Sequence, residues 1–147
     1  MEVKEGIMQA QAQIEKGKLL GEARTKATPL TIKEVTPFGI RIEYNDVGVF
    51  TGVFTANVND TLTGFLKNDG TFDWEVKGLW TTKEGDFIVG TAHGTGKMVG
   101  PTTSKAEGEV IFMTQSQKLS WLNNKKCRVE VTGDMATNES YGKLFAL

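Results

Sequence analysis

From Thr71 to Trp80 the chain alternates without a break. Phe72, Trp74, Val76, Gly78 and Trp80 fall on one side, and Asp73, Glu75, Lys77 and Leu79 on the other. A period of two belongs to a β-strand with one apolar face, whereas a helix would scatter the same residues around its axis. Asn68-Asp69-Gly70 stands directly before this run, and those residue types tolerate the positive φ of a tight primed turn. Thr61 to Lys67, with Leu62 and Leu66 on one side, supplies the other arm, so residues 61–80 read as a hairpin.

The pattern recurs along the chain. Phe38 to Tyr44 alternates strictly and is read as stopping at Asn45-Asp46, and Val47 to Val58 is a longer strand-like stretch. Lys83-Glu84-Gly85-Asp86 is a turn leading into Phe87 to His93; Glu107 to Thr114, Arg128 to Thr132 and Tyr141 to Phe145 follow, and Arg24 to Val35 lies upstream. Seventeen glycines against three prolines, recurring between runs rich in Val, Ile, Thr and Phe, punctuate successive strands. The expectation is an all-β chain, an antiparallel closed β-barrel of about eight strands. Ser116 to Asn123 interrupts the pattern: Leu119 and Leu122, three apart behind Ser116, predict a short helical turn at 116–123 with the serine as its cap, and Trp121 on it is expected to seal one end. In residues 7–18, Met8, Ala10, Ala12 and Ile14 alternate although Gln, Ala, Glu and Lys favour helix, so 1–18 is read as an extended or frayed lead. With no repeat or linker, residues 1–147 read as one barrel domain.

Composition excludes several functions. A chain of 147 residues buries roughly 68–70% of its unfolded surface and needs no staple. Cys127 is the sole cysteine, so an intrachain disulfide and a cysteine-based zinc site are impossible, and with His93 the one histidine no metal site or cofactor is expected. Cys127 itself reads as a small buried apolar residue. Seventeen Lys and Arg against eighteen Asp and Glu leave no field to hold a phosphate backbone, so nucleic acid is not expected as a partner. The charged start and the lack of an apolar run near ~18 residues point to a cytoplasmic protein with no membrane partner. Stretches 47–58 and 107–114 are apolar on both faces, while a barrel wall has one inner face. A homo-oligomer, dimer or trimer, is therefore expected.

Few residues stand out as chemistry. His93-Gly94-Thr95-Gly96-Lys97-Met98-Val99-Gly100 lacks the Lys-Ser/Thr pair and following helix of a phosphate loop, so its glycines are read as a bulge or corner. His93 shares a face with Phe87, Val89 and Thr91, and that face is taken as interior. This makes His93 the catalytic candidate, as acid or base. Phe72, Trp74, Trp80, Phe87, Val89 and His93 are then the expected lining of an apolar cavity. Asp73/Glu75 and Glu107/Glu109 lie opposite the apolar residues of their strands and are expected outside. Glu34 shares a face with Leu30 and Ile32 and is a second inward candidate, whereas Glu43 is out of phase with Ile40, Ile42 and Tyr44.

Gly70 to Gly78, then Thr81 to Asp86, then Gly94 to Gly100, then Glu107-Gly108-Glu109 resemble the central strands of the allene oxide cyclase and dirigent-like β-barrels, a calycin-like superfamily. The stretch from Gly94 through Leu119 and Asn123 to Phe145 is similar to small uncharacterised bacterial and archaeal members in particular. The resemblance implies an eight-stranded barrel, often oligomeric, with an interior able to hold a hydrophobic molecule. It transfers no active site, because the cyclase's catalytic carboxylate, asparagine, cysteine and tyrosine have no match here and Cys127 falls too late in the chain. The leading expectation is binding of a small hydrophobic molecule inside the barrel. The alternatives are an isomerase or cyclase of the allene oxide cyclase-like type, using His93, Glu34 or Glu43, and a non-catalytic structural or oligomerisation module. The residues alone leave open whether the protein is an enzyme.

Overall fold

The computed structural model describes residues 17–147. Residues 1–16, which hold most of the expected N-terminal lead, lie outside the described residues. Nine strands follow in order: β1 Leu19–Ala27, β2 Thr31–Thr36, β3 Gly39–Gly52, β4 Ala56–Lys67, β5 Thr71–Thr81, β6 Phe87–Met98, β7 Thr103–Thr114, β8 Lys126–Asp134 and β9 Glu139–Ala146, with a 3-10 turn at Ser120–Leu122 between β7 and β8. Every neighbour is antiparallel, in the order β1-β9-β8-β7-β6-β5-β4-β3-β2, and β1 also pairs with β3. That last ladder closes eight strands into a barrel. β3 is long enough to take two partners along one edge: β2 along 39–43 and β1 along 46–52. β2 is the extra strand, and it continues the wall beyond the end of β1.

Several local expectations change. Arg24–Val35 is two strands, parted at Thr28-Pro29-Leu30, where proline has no N–H for a ladder. The stretch 47–58 is a hairpin, turning at Val53–Thr55 between β3 and β4. Asn45-Asp46 ends nothing. The Asn45 N–H donates to Thr28 Oγ1 at 3.0 Å, Asn45 Oδ1 accepts from Thr61 Oγ1 at 2.8 Å, and β3 runs straight through. β6 likewise runs through Gly94 and Gly96 to Met98, and the corner comes later, at 99–102. The helical turn is present, but Ser116 does not cap it; its N–H donates to Thr114 Oγ1 at 3.1 Å instead.

One end of the barrel is packed. Phe50, Val58 and Ile88, each 1% exposed, meet Leu20, Phe112 and Leu144 inside the wall. The loop after β7 brings Leu119, Trp121 and Leu122 over them as a seal. Rings of Phe54, Phe50, Trp80 and Phe112 follow one another at centroid distances of 4.9, 5.1 and 5.3 Å. Those spacings suit tilted aromatic contacts.

The glycines of β6 and β7 are seats for rings. A Cβ on Gly94 or Gly108, which pair with each other, would strike both the Trp74 ring and backbone of the facing strand. A Cβ on Gly96 would strike the Phe72 ring. Trp74 lies buried across this glycine floor with its Nε1–H donated to the Thr95 carbonyl at 3.2 Å. Gly94→Ala is therefore expected to lower stability by about 1–3 kcal/mol. Gly142→Ala, whose added methyl would meet its nearest atom at 3.6 Å, should stay within about 1 kcal/mol of the parent. Urea unfolding of the two variants checks the contrast.

Candidate functional site

Above the packed floor the inner wall carries two carboxylates. Counting inward from Ile40 along β3, every second residue faces the interior, through Ile42 and Tyr44 to Asp46. On β4 the same count places Asp60 between Val58 and Leu62. The register sets Asp46 directly opposite Asp60. Gly78 is the neighbour of Asp60 on β5, and a Cβ there would strike Asp60 Oδ1, so the carboxylate occupies the space that glycine leaves. Trp80 Nε1–H donates to Asp60 Oδ1 at 2.9 Å, tying the pair to the aromatic floor. Asp46 Oδ1 is buried with no hydrogen-bond partner.

This environment disfavours charge. Burial pushes Asp46 up to about 6, and the neighbouring Asp60 adds to the rise. Burial likewise pushes Asp60 up to about 6, against the opposing effect of the Trp80 hydrogen bond. Burial and then the Asp46 charge raise Tyr44 above the ordinary tyrosine range. Among the described residues no lysine or arginine offsets either carboxylate. Both groups therefore take up a proton more readily than an exposed aspartate does. The pair can donate a proton from one oxygen, accept one at another, or hold a cation.

Inward-facing side chains at this end behave differently from those on the floor. Leu62, Val76 and Ala92 point inward yet are only half-buried, as is Phe72. Water therefore reaches them, and this end of the interior, away from the Trp121 seal, is a cup less tightly closed than the floor, with Trp74 buried against its wall at Gly94 and Gly108. β2 extends its rim. A bulge between Ile32 and Glu34 puts Ile32 opposite Ile42 and Val35 opposite Ile40, both on the inner face. They are 61% and 73% exposed.

Of the residues expected to line a cavity, Phe72, Trp74 and Trp80 face inward. Phe87, Val89 and His93 do not: the register sets Ile88 opposite inward Trp80, so its odd-numbered neighbours face out. Phe87 is 63% exposed, Val89 43%, and His93 is exposed as well. The inner face of β6 is the small one, Gly90, Ala92, Gly94 and Gly96, because rings of Phe112, Trp74 and Phe72 lie over its glycines. His93 is thus removed from the interior as acid or base. Glu34 also faces out, 3.8 Å from Arg41 Nε, since the bulge reverses its side. Glu43 lies 3.8 Å from Lys33 Nζ, on the outer face that its phase required. Cys127 is buried among the packed residues, where burial pushes its thiol up to about 11. Among the described residues no cluster of three or more His, Cys, Asp or Glu could hold a metal, and no helix is long and apolar enough to cross a membrane.

No family model matches the chain, and no curated protein matches it. Solved structures do. A protein of unknown function from Clostridium acetobutylicum is 14% identical, with a TM-score of 0.79 over 90% of this chain and 99% of its own. A β-barrel-like protein from Acinetobacter baumannii is 17% identical, with a TM-score of 0.73 over 89% and 94%. An enzyme from Penicillium herquei is 22% identical, with a TM-score of 0.64 over 87% and 92%. These likenesses show the fold.

Both carboxylates bind protons more tightly folded than unfolded, so folding takes up protons between about pH 4 and 6. Their contribution is complete below the unfolded pKa and is lost as pH rises through the folded value. Relative to Asp46→Asn, the parent should lose on the order of a few kcal/mol between pH 4 and 7.5. Asp46→Asn should accordingly be the more stable protein at pH 7.5, and the gap should shrink at pH 4. Urea titrations of both proteins at the two pH values measure this difference, in which the exposed carboxylates cancel.

Proposed function

We propose that the barrel binds a small, largely apolar molecule, admitted at the end opposite the Trp121 seal and seated above the aromatic floor. The observation that carries this reading is the contrast within one interior: Phe50, Val58, Ile88 and Phe112 at the floor are sealed, while Leu62, Val76, Ala92 and Phe72, around the buried Trp74, remain in contact with water. Apolar surface lining a concavity gains by exchanging water for a ligand, and a few polar groups then set its orientation. Ile32 and Val35 continue the apolar surface onto the rim, and Asp46 and Asp60 supply the polar end.

A second reading, an isomerase or cyclase, is favoured by the carboxylate pair. One member holding a proton can deliver it to a substrate while its partner takes up another, leaving the pair's proton count unchanged. One structural neighbour is described as an enzyme, which agrees with that reading at the level of fold only.

N-phenyl-1-naphthylamine, uncharged above pH 5, should brighten on titration with the protein at micromolar concentrations. Ala92→Phe, which puts a ring into the cup between Val76 and Val110, should weaken that response at least tenfold while far-ultraviolet circular dichroism stays unchanged. An unresponsive parent protein, or a folded Ala92→Phe that binds as well as the parent, would overturn the interior site.

A further inference from the structure

We propose that the ligand is an amphiphilic amine, an organic ammonium group on an apolar body, with its N–H donors set against Asp46 Oδ1 and the Asp60 carboxylate. The inference rests on the interior site proposed above and names its ligand class. Three observations carry it.

The first is charge. Asp46 and Asp60 oppose each other on the inner face, and the groups around them bring no compensation. Ala27 faces Asp46 from β1, Gly78 faces Asp60 from β5, and Tyr44 and Leu62 stand beside them on β3 and β4. Tyr44 is the one other titratable group there, and it is neutral. Lys26 and Lys77, next to those facing residues on β1 and β5, lie on the outer face by the same register, and Lys33 and Lys67 are paired outside with Glu43 and Asp73. A buried acid pair lacking a cation is stabilised by a ligand that brings one.

The second is the orphaned oxygen. Asp46 Oδ1 is buried and accepts nothing, whereas Asp60 Oδ1 already accepts from Trp80. A buried acceptor left empty is costly, and an ammonium offers three donors and no acceptor. A hydroxyl brings one donor and leaves the charge uncompensated. A carboxylate ligand such as a fatty acid would be repelled.

The third is the surrounding surface. Trp80 reaches Asp60 through its N–H edge, and Tyr44 stands two residues along β3 from Asp46, so the acids lie at the border of an aromatic surface. Leu62 and Val76, opposite each other one step further up the cup, take the apolar body.

The test uses three ligands with one apolar body: 1-adamantylmethylamine, 1-adamantylmethanol and 1-adamantanecarboxylate, titrated into the whole protein by calorimetry with tryptophan emission as a second readout. At pH 7.5 the amine should bind at least tenfold more tightly than the alcohol, and the carboxylate should bind more weakly than either. Asp46→Asn and Asp60→Asn should each cost the amine tenfold or more and cost the alcohol less than threefold. Amine affinity should fall as pH is lowered from 7.5 to 5, because the pair takes up protons across that range. An alcohol that binds as tightly as the amine overturns the ligand class while the interior site stands. Silence from all three ligands in a protein that still brightens N-phenyl-1-naphthylamine overturns the ligand class alone, and silence of that probe as well overturns the interior site. Amine binding that survives both Asn substitutions, in variants whose circular dichroism matches the parent, overturns the assignment to Asp46 and Asp60.

Discussion

The ladder between β1 and the second half of β3 is the contact on which the rest depends. Without it the chain is an open sheet with two wet faces. With it, each of the eight closed strands acquires an inside and an outside, and the inside is narrow. An eight-stranded barrel is just wide enough for its own side chains to fill. A ring on one strand therefore requires a gap on the next, which is why Trp74 lies over Gly94 and Gly108, and Phe72 over Gly96. Glycine in a strand weakens it locally, and here that weakness is offset by burial of large aromatic surfaces.

Closure also lets one interior serve two purposes. The seal of Leu119, Trp121 and Leu122 makes the lower half a conventional core, with rings of Phe50, Trp80 and Phe112 as its top layer. Above that layer the chain places Asp46 and Asp60 on facing strands, and Trp74, two inner positions beyond Gly78 on β5, is buried again over Gly94 and Gly108. A core assembled for stability alone would hold no such pair, since burying like charges opposite each other costs free energy at neutral pH. Trp80 is where the two halves meet: its ring belongs to the floor, and its Nε1–H reaches up to Asp60.

β2 shows how the fold handles the one strand left outside closure. Among the described residues its far edge has no partner, which invites another strand to add to it. A bulge at Lys33, with Lys33 and Glu34 engaged by Glu43 and Arg41 of β3, disrupts that edge. The same bulge turns Ile32 and Val35 to a common side, so one irregularity both protects the edge and widens the apolar lip of the cup.

Strand periodicity, the turn at Asn68-Asp69-Gly70 and the helical interruption before β8 follow from local residue chemistry, so the barrel class and the inward aromatic face of β5 were legible in the chain by itself. Other features depended on partners distant in sequence. Asp46 follows Asn45 in a pair that reads as a turn, and Asp60 stands between the polar Asn59 and Thr61. The available signal was phase: steps of two from Ile40 reach Asp46, and steps of two back from Leu62 reach Asp60. For β6 the local rule pointed the wrong way, taking the bulkier face of Phe87, Val89 and His93 as interior. Which face turns inward is decided by the volume that neighbouring strands have already filled, and only tertiary structure contains that sum. The sequence determined that there would be strands with two unlike faces. Closure decided which face became the inside, and with it that two aspartates, rather than the histidine, occupy the cup.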